Sequence, residues 1–306
     1  MAWWLILSPF LLVGGVILVL AILLGIDAVL RRFLMDAPFL NHVHFDVDNR
    51  ELIVVIPGTI TKGKTLVAQA LEMLKEFGDV LIVETGTERF VESTIIDQVI
   101  HFISLQQEGE PHYKKVTIIG ASIGGKVAYR IQRKVDRHKP YVNLPEVRVV
   151  YVDALLNASF LKVWAAKLPG YLPFGPIFNL FSRPVIKWPY VMPEWDELGE
   201  GHDRGLIEAN LDAIFNMKLS VLSDQLRCLI DGRLPRANES EQLKAAYIRS
   251  GRDDAIKQPE ALEAFQRAYG GNLEVFEVPE STHIGIFLEF PKTGHKALRD
   301  ALLSLD

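Results

Sequence analysis

The sequence predicts an α/β domain on a mostly parallel sheet, preceded by one apolar helix. Three observations carry that expectation. Short, almost wholly apolar runs alternate with helix-periodic runs, the pattern of strands covered by helices on both faces. A serine flanked by glycines sits between one such run and the next helix, at the edge where parallel sheets place their chemistry. From Ala2 to Ile26 there is no charged residue or histidine. The 306 residues are 49% hydrophobic, enough to bury a large core, which excludes a disordered chain. A net charge of −5 excludes nucleic-acid binding by bulk charge. A single cysteine, Cys228, excludes an intrachain disulfide framework and a cysteine-rich zinc site.

The N-terminal run comes first. As a helix it is about 37 Å long, sufficient to cross a hydrocarbon core. Trp3 and Trp4 suit one membrane interface, while Arg31 and Arg32 follow the other end, which predicts a single-pass anchor with the body on the cytoplasmic side. A cleaved signal peptide would have a basic start, and this one has none. The expected domains are therefore an anchor over residues 1–32 and a body over 33–306. In the body, His42–Val47 alternates like an antiparallel edge strand. Leu52–Ile56, Val80–Val83, Val116–Ile119, Val147–Val152, Ala246–Arg249 and Leu273–Val278 read as strands. Leu66, Ala70, Leu74 and Phe77 form a helical stripe closed by Gly78. Ile95, Val99 and Phe102 form another, and Val127, Ile131 and Val135 a third, whose Arg130, Arg133, Lys134 and Arg137 turn to water. Residues from about 155 to 242 break the alternation and read as an inserted cap. Leu156, Phe160, Trp164 and Leu168 suggest a helix at its start. Six prolines and seven aromatics between 169 and 195 then suggest a stiff apolar lid.

The chemistry starts at Gly120-Ala121-Ser122-Ile123-Gly124-Gly125, a G-x-S-x-G turn from strand to helix. Such a turn lifts the serine out of the chain and aims a helix N-terminus at any oxyanion formed there. A serine hydroxyl needs a base, and His283, just after the last strand, is the candidate. The imidazole needs an orienting acid. Asp254, after the strand Ala246–Arg249, is preferred, with Asp253 and Asp153 as alternatives. His42 with His44, and His202 among acidic neighbours, lack the ligand sets of a metal centre. No metal or cofactor is expected.

The chain order Ser122, Asp254, His283, each after a strand, resembles the α/β-hydrolase family, over roughly residues 40–306. The resemblance implies a serine hydrolase with an inserted cap and an oxyanion hole of two amides. Ile123, after the nucleophile, matches the first. The loop Pro57-Gly58-Thr59 resembles the source of the second, with Thr59 N–H the donor; Pro57 stands where that family often has a histidine. An ester of an apolar acid, lipid-like or smaller, is the substrate class this implies, with no nucleic-acid partner and the oligomeric state open. Two rivals remain. Gly58-Thr59-Ile60-Thr61-Lys62-Gly63-Lys64-Thr65 also fits G-x-x-x-x-G-K-T, a phosphate-binding loop, with Val149–Asp153 as a Walker B strand. Against it, three β-branched residues suit a phosphate nest poorly. A non-catalytic binding module on the same fold is the second.

Overall fold

The computed structural model describes residues 2–34, 41–46, 50–58, 67–68, 70–84, 89–107, 109–139, 142–162, 167–172, 174–179, 218–283, 285–287 and 291–306. A seven-stranded sheet forms its centre, in the order β1-β3-β2-β6-β7-β8-β9. The strands are β1 (Asn41–Phe45), β2 (Glu51–Ile56), β3 (Asp79–Glu84), β6 (Lys115–Ala121), β7 (Glu146–Val152), β8 (Ala245–Ser250) and β9 (Leu273–Val278). β4 (Gln106–Gln107) and β5 (Glu110–Pro111) make a separate two-stranded ribbon. β1 pairs antiparallel with β3 at the edge, and every other pairing in the main sheet is parallel.

Alternation along the strands divides the core into two layers. Leu52, Val54, Ile56, Val116 and Ile118 face one side, under α3 (Glu92–Ile103), α4 (Gly124–His138) and α8 (Gln258–Tyr269). Ile53, Val55, Ile119 and Ala121 face the other, under Val67, the short helix α2 (Leu71–Lys75) and α9 (Pro291–Ser304). Because successive strand side chains point to opposite faces, an almost unbroken apolar run is what a sheet buried on both sides requires. Each fully buried aliphatic side chain contributes roughly 1.5–3 kcal/mol.

Three expectations change. Among the described residues the stripe from Leu66 to Phe77 is interrupted: Val67 is helical, a turn follows to Ala70, and the five-residue helix α2 comes after it; Leu66 itself lies outside the described residues. The stripe from Leu156 to Leu168 is not one helix. Asn157 accepts from the Ser159 amide and starts a single 3-10 turn, after which Leu161 bridges to Ile256 as extended chain. Helix resumes at α5 (Leu168–Tyr171), followed by α6 (Pro176–Asn179) and, further on, by α7 (Leu219–Ile230). Arg133 is only half-exposed, because its guanidinium donates to the Glu239 carbonyl. Trp164, Phe181, Trp188, Tyr190, Trp195 and His202 lie outside the described residues.

N-terminal to the sheet, α1 (Ala2–Leu34) is a single long helix. Its stretch Val13–Phe33 is long and apolar enough to cross a membrane, with a mean hydropathy of 2.7.

Candidate active site

Ser122 sits at the end of β6 with φ +50°, a left-handed conformation that costs a residue with a Cβ about 1 kcal/mol or more. The surrounding chain holds it there. Its amide donates to the Val152 carbonyl (2.9 Å), and its carbonyl accepts from the amides of Gly125 (3.0 Å) and Leu155 (3.3 Å). Strand and helix close so tightly that a Cβ on Gly120 would lie 2.7 Å from the Gly124 carbonyl oxygen. One on Gly124 would lie 2.3 Å from that of Ile56. The two glycines are therefore required by backbone approach on both sides of the serine. With the Ser122 amide engaged, that of Ile123 is the next along the turn into α4.

The loop after β9 brings His283 to this turn. Ser281 N–H donates to the Val278 carbonyl and Gly285 N–H to that of Thr282, folding the segment back over the sheet edge. His283 Nε2 lies 3.1 Å from Ser122 Oγ. Its Nδ1 lies 2.7 Å from Asp253 Oδ2. A hydroxyl, an imidazole and a carboxylate thus form one hydrogen-bonded line.

The acid in that line is Asp253 and not Asp254. Asp253 Oδ1 accepts from the amides of Ala255 (2.8 Å) and Ile256 (3.0 Å), an Asx-type turn that points its other oxygen inward. Two bonds knit this turn to the histidine loop: Gly251 N–H to Val278 O, and Arg252 N–H to Ser281 O. The Asp253 side chain is wholly buried, while that of Asp254 is 76% exposed, with Lys162 Nζ at 3.7 Å. The turn-closing contacts and the contact with the imidazole fall on one residue.

Asp153, also considered for that acid, ends β7 at φ +43° and is fully buried. Its carboxylate accepts from Ser250 N–H (2.7 Å), Ser250 Oγ–H (2.6 Å) and Gln258 Nε2 (2.7 Å). Gln258 was not legible in the sequence as a site residue. Its Nε2 donates to both Asp153 and Asp253 (2.6 Å), and its Oε1 faces the Tyr247 hydroxyl at 3.2 Å, which fixes the amide orientation.

Electrostatics follow from this packing. Burial disfavours the His283 imidazolium, yet the charge and hydrogen bond of Asp253 and the charge of Asp153 outweigh it, so its pKa stands above the ordinary value. Burial also opposes ionisation of Asp253. The His283 charge and hydrogen bond, with donors from Ile256 and Gln258, overcome it and hold that carboxyl below its usual range. Asp153 is pushed up to about 6 by burial, with the Asp253 charge adding and His283 and Ser250 opposing. Ligand-type atoms of Asp153, Asp253 and His283 lie within 4.8 Å of one another, a spacing a metal ion can use. Every one of those carboxylate oxygens already accepts from an N–H or O–H, and both imidazole nitrogens are engaged. The donor set suits a proton-sharing network better than a cation.

Gly58 packs directly on the elbow, where an added Cβ would lie 2.9 Å from Ser122 Cβ. Thr59, and the phosphate-loop reading from Thr59 to Thr65, lie outside the described residues. The proposed Walker B acid, Asp153, is committed to Ser250 and Gln258. Cys228 offers no rival nucleophile, since burial pushes its thiol up to about 12. A cavity of about 750 Å³ lined by Lys126, Arg130 and Arg133 includes none of Ser122, Asp253 and His283.

No sequence-family model matches the chain, and no curated protein sequence matches it. Solved structures do. An enol-lactonase from Burkholderia xenovorans superposes with a TM-score of 0.62 at 14% identity, over 87% of this chain and 96% of that one. An esterase from Exiguobacterium antarcticum gives 0.57 at 17% identity, over 87% and 95%. A lipase-esterase related protein from Clostridium acetobutylicum gives 0.57 at 13% identity, over 88% and 100%. The chain has the α/β-hydrolase fold.

Proposed function

We propose that the protein is a membrane-anchored serine hydrolase that cleaves carboxylic esters of apolar acids. The observation that carries this reading is the line Ser122 Oγ–His283 Nε2–Nδ1–Asp253 Oδ2, at 3.1 and 2.7 Å, on a serine held at positive φ. His283 takes the serine proton as Oγ attacks the acyl carbonyl. Asp253 holds the tautomer and stabilises the imidazolium. The oxyanion is received by the amide of Ile123, at the N-terminus of α4, and by that of Thr59; each such donor is worth about 3–4 kcal/mol in other enzymes. His283 then protonates the leaving alkoxide, and water releases the acid by the reverse sequence. An ester leaving group needs less help than an amine. The esterases among similar folds agree with this class. The long apolar helix α1 supports the anchor, and exposed Arg32 near its C-terminal end a cytoplasmic body.

The test is labelling of the full-length protein with a fluorophosphonate, together with turnover of p-nitrophenyl esters. Wild type labels and turns over, and Ser122→Ala does neither. A folded wild type that neither labels nor turns over is a binding module instead.

A further inference from the structure

The end of the apolar helix is not a passive tether. Residues 13–22 are exposed on every side, with Val13, Val16, Ile17, Leu18, Val19, Leu20 and Ile22 each about half accessible. A protein groove would cover one face; this stretch offers its whole circumference, which suits lipid. From Leu23 onward the helix changes character, and Leu24, Asp27, Ala28 and Arg31 turn one stripe to the cap. Asp27 is fully buried and accepts from the amides of Gly175 (2.6 Å), Ile177 (2.7 Å) and Phe178 (3.4 Å), satisfying the first turn of α6. Arg31 is buried too, donating to the Phe174 carbonyl (2.8 Å) and pairing with Asp224 on α7. Asp224 also accepts from Phe90 N–H (3.2 Å) and lies 3.6 Å from Arg89. The fit is close: a Cβ on Gly175 would lie 2.6 Å from the Asp27 carbonyl oxygen and 3.0 Å from Arg31 Cβ. Leu24 packs on the cluster of Phe174, Leu219, Leu222 and Leu226.

Every element that receives this stripe leaves the sheet at the edge holding Ser122. Arg89 and Phe90 follow the C-terminal end of β3, and α5 to α7 are inserted after the C-terminal end of β7. At 1.5 Å per residue, the part ahead of the stripe, Ala2–Ile22, spans roughly 30 Å, the thickness of a hydrocarbon core. The buried polar contacts then begin where hydrocarbon ends, since an unsatisfied carboxylate deeper in would be costly. Two large apolar side chains on the neighbouring α5, Leu168 (50%) and Tyr171 (62%), stay exposed.

Resting on the hydrolase reading above, we infer that Leu23–Arg31 is a latch that locks the spanning helix to the cap and holds the catalytic edge against the bilayer, so that the substrate is an amphiphilic ester taken directly from the membrane.

The experiment uses full-length protein in phosphatidylcholine vesicles, with p-nitrophenyl acetate in water and p-nitrophenyl palmitate dissolved in the same bilayer. Asp27→Ala and Gly175→Leu break the latch from either side. Each is expected to lower palmitate turnover about tenfold or more, as misplacing a substrate does, with acetate turnover and fluorophosphonate labelling within about twofold of wild type. Equal loss on both esters, or loss on neither, overturns the proposal. A nitroxide readout covers the case in which both variants unfold. On otherwise wild-type protein, a label at Tyr171→Cys is expected to meet lipid-dissolved oxygen, and one at Glu110→Cys, beyond the opposite edge of the sheet, is expected to meet a water-soluble relaxant. The contribution of the partly buried Cys228 is read on the parent protein and subtracted. A Tyr171 label in water sinks the latch geometry. Failure of wild-type labelling by fluorophosphonate sinks the hydrolase reading alone, because the nitroxide result does not depend on catalysis.

Discussion

Ser122 and Asp153 are both non-glycine residues at positive φ, each just past a buried strand. Strain of this kind persists only where the surroundings over-determine it. At Ser122 it presents Oγ to the His283 imidazole, and at Asp153 it turns the carboxylate to Ser250 and Gln258. The consequences are measurable residue by residue. Asp253→Asn is expected to lower kcat by about 10⁴-fold, because an amide facing Nδ1 selects the wrong tautomer. Asp254→Asn, on an exposed side chain 3.7 Å from a half-exposed lysine, is expected to change neither kcat nor stability beyond about 0.5 kcal/mol. The reverse ranking would return the orienting role to Asp254. Asp153 makes a different prediction. Its negative charge raises the proton affinity of His283, and the base must be deprotonated to work. Asp153→Asn removes that charge, so the acid limb of kcat/KM is expected to move to lower pH. A limb that stays in place, measured on a variant with an unchanged fold, means that Asp153 serves only to pin Ser250 and Gln258.

Between the strands and α8 runs a buried chain of polar groups. Tyr151 and Tyr269 hydroxyls meet at 2.5 Å, Tyr269 donates to Gln132 Oε1 at 2.6 Å, and Gln132 Nε2 donates to the Val147 carbonyl at 2.9 Å and that of Lys244 at 3.1 Å. This chain ties α4, β7 and α8 together, and the side chains of Tyr151, Tyr269 and Gln132 are buried. Tyr269→Phe strands the Tyr151 hydroxyl and the Gln132 carbonyl oxygen, so a loss of about 1–3 kcal/mol is expected in urea unfolding. A neutral result would mean that water enters the gap. Such networks also mark where reading the sequence reached its limit. The strands were legible because period-two burial on both faces leaves an apolar run that nothing else explains. The elbow was legible because glycine on both sides of a serine reflects a steric requirement at fixed spacing. Asp253 and Asp254 were not separable, since which carboxylate points inward depends on an Asx turn closed by Ala255 and Ile256. Gln258 carries no local signal; its role exists only because β7, β8 and α8 meet. The stripe from Leu156 to Leu168 had helical spacing, but Asn157 and the bridge of Leu161 to Ile256 overrode it.

Taken as a whole, the molecule divides into parts of unequal packing. β6 is buried throughout its C-terminal half, with Ile118, Ile119 and Ala121 at 0% exposure, and strands flank it on both sides. The described part of the cap rests on a much smaller apolar cluster, that of Phe174, Leu219, Leu222 and Leu226. Polar contacts with the apolar helix, the Arg31–Asp224 pair and bonds within the cap, such as Ser223 Oγ–H to the Leu172 carbonyl (2.6 Å), add to it. Local opening free energies follow buried apolar contact. Native-state hydrogen exchange is therefore expected to separate two units. Amides of β6 and β7 should exchange only through global unfolding, with the full denaturant dependence. Those of α5 and α6 should exchange at far lower cost, with little dependence on urea. Peptides over 168–179 that track β6 at every urea concentration would mean that cap and sheet unfold as one. The Ser122–His283–Asp253 line belongs with the sheet, because each of its residues hangs from a strand end and the acid turn and histidine loop are bonded to each other. Opening of the cap should therefore expose the site without taking it apart.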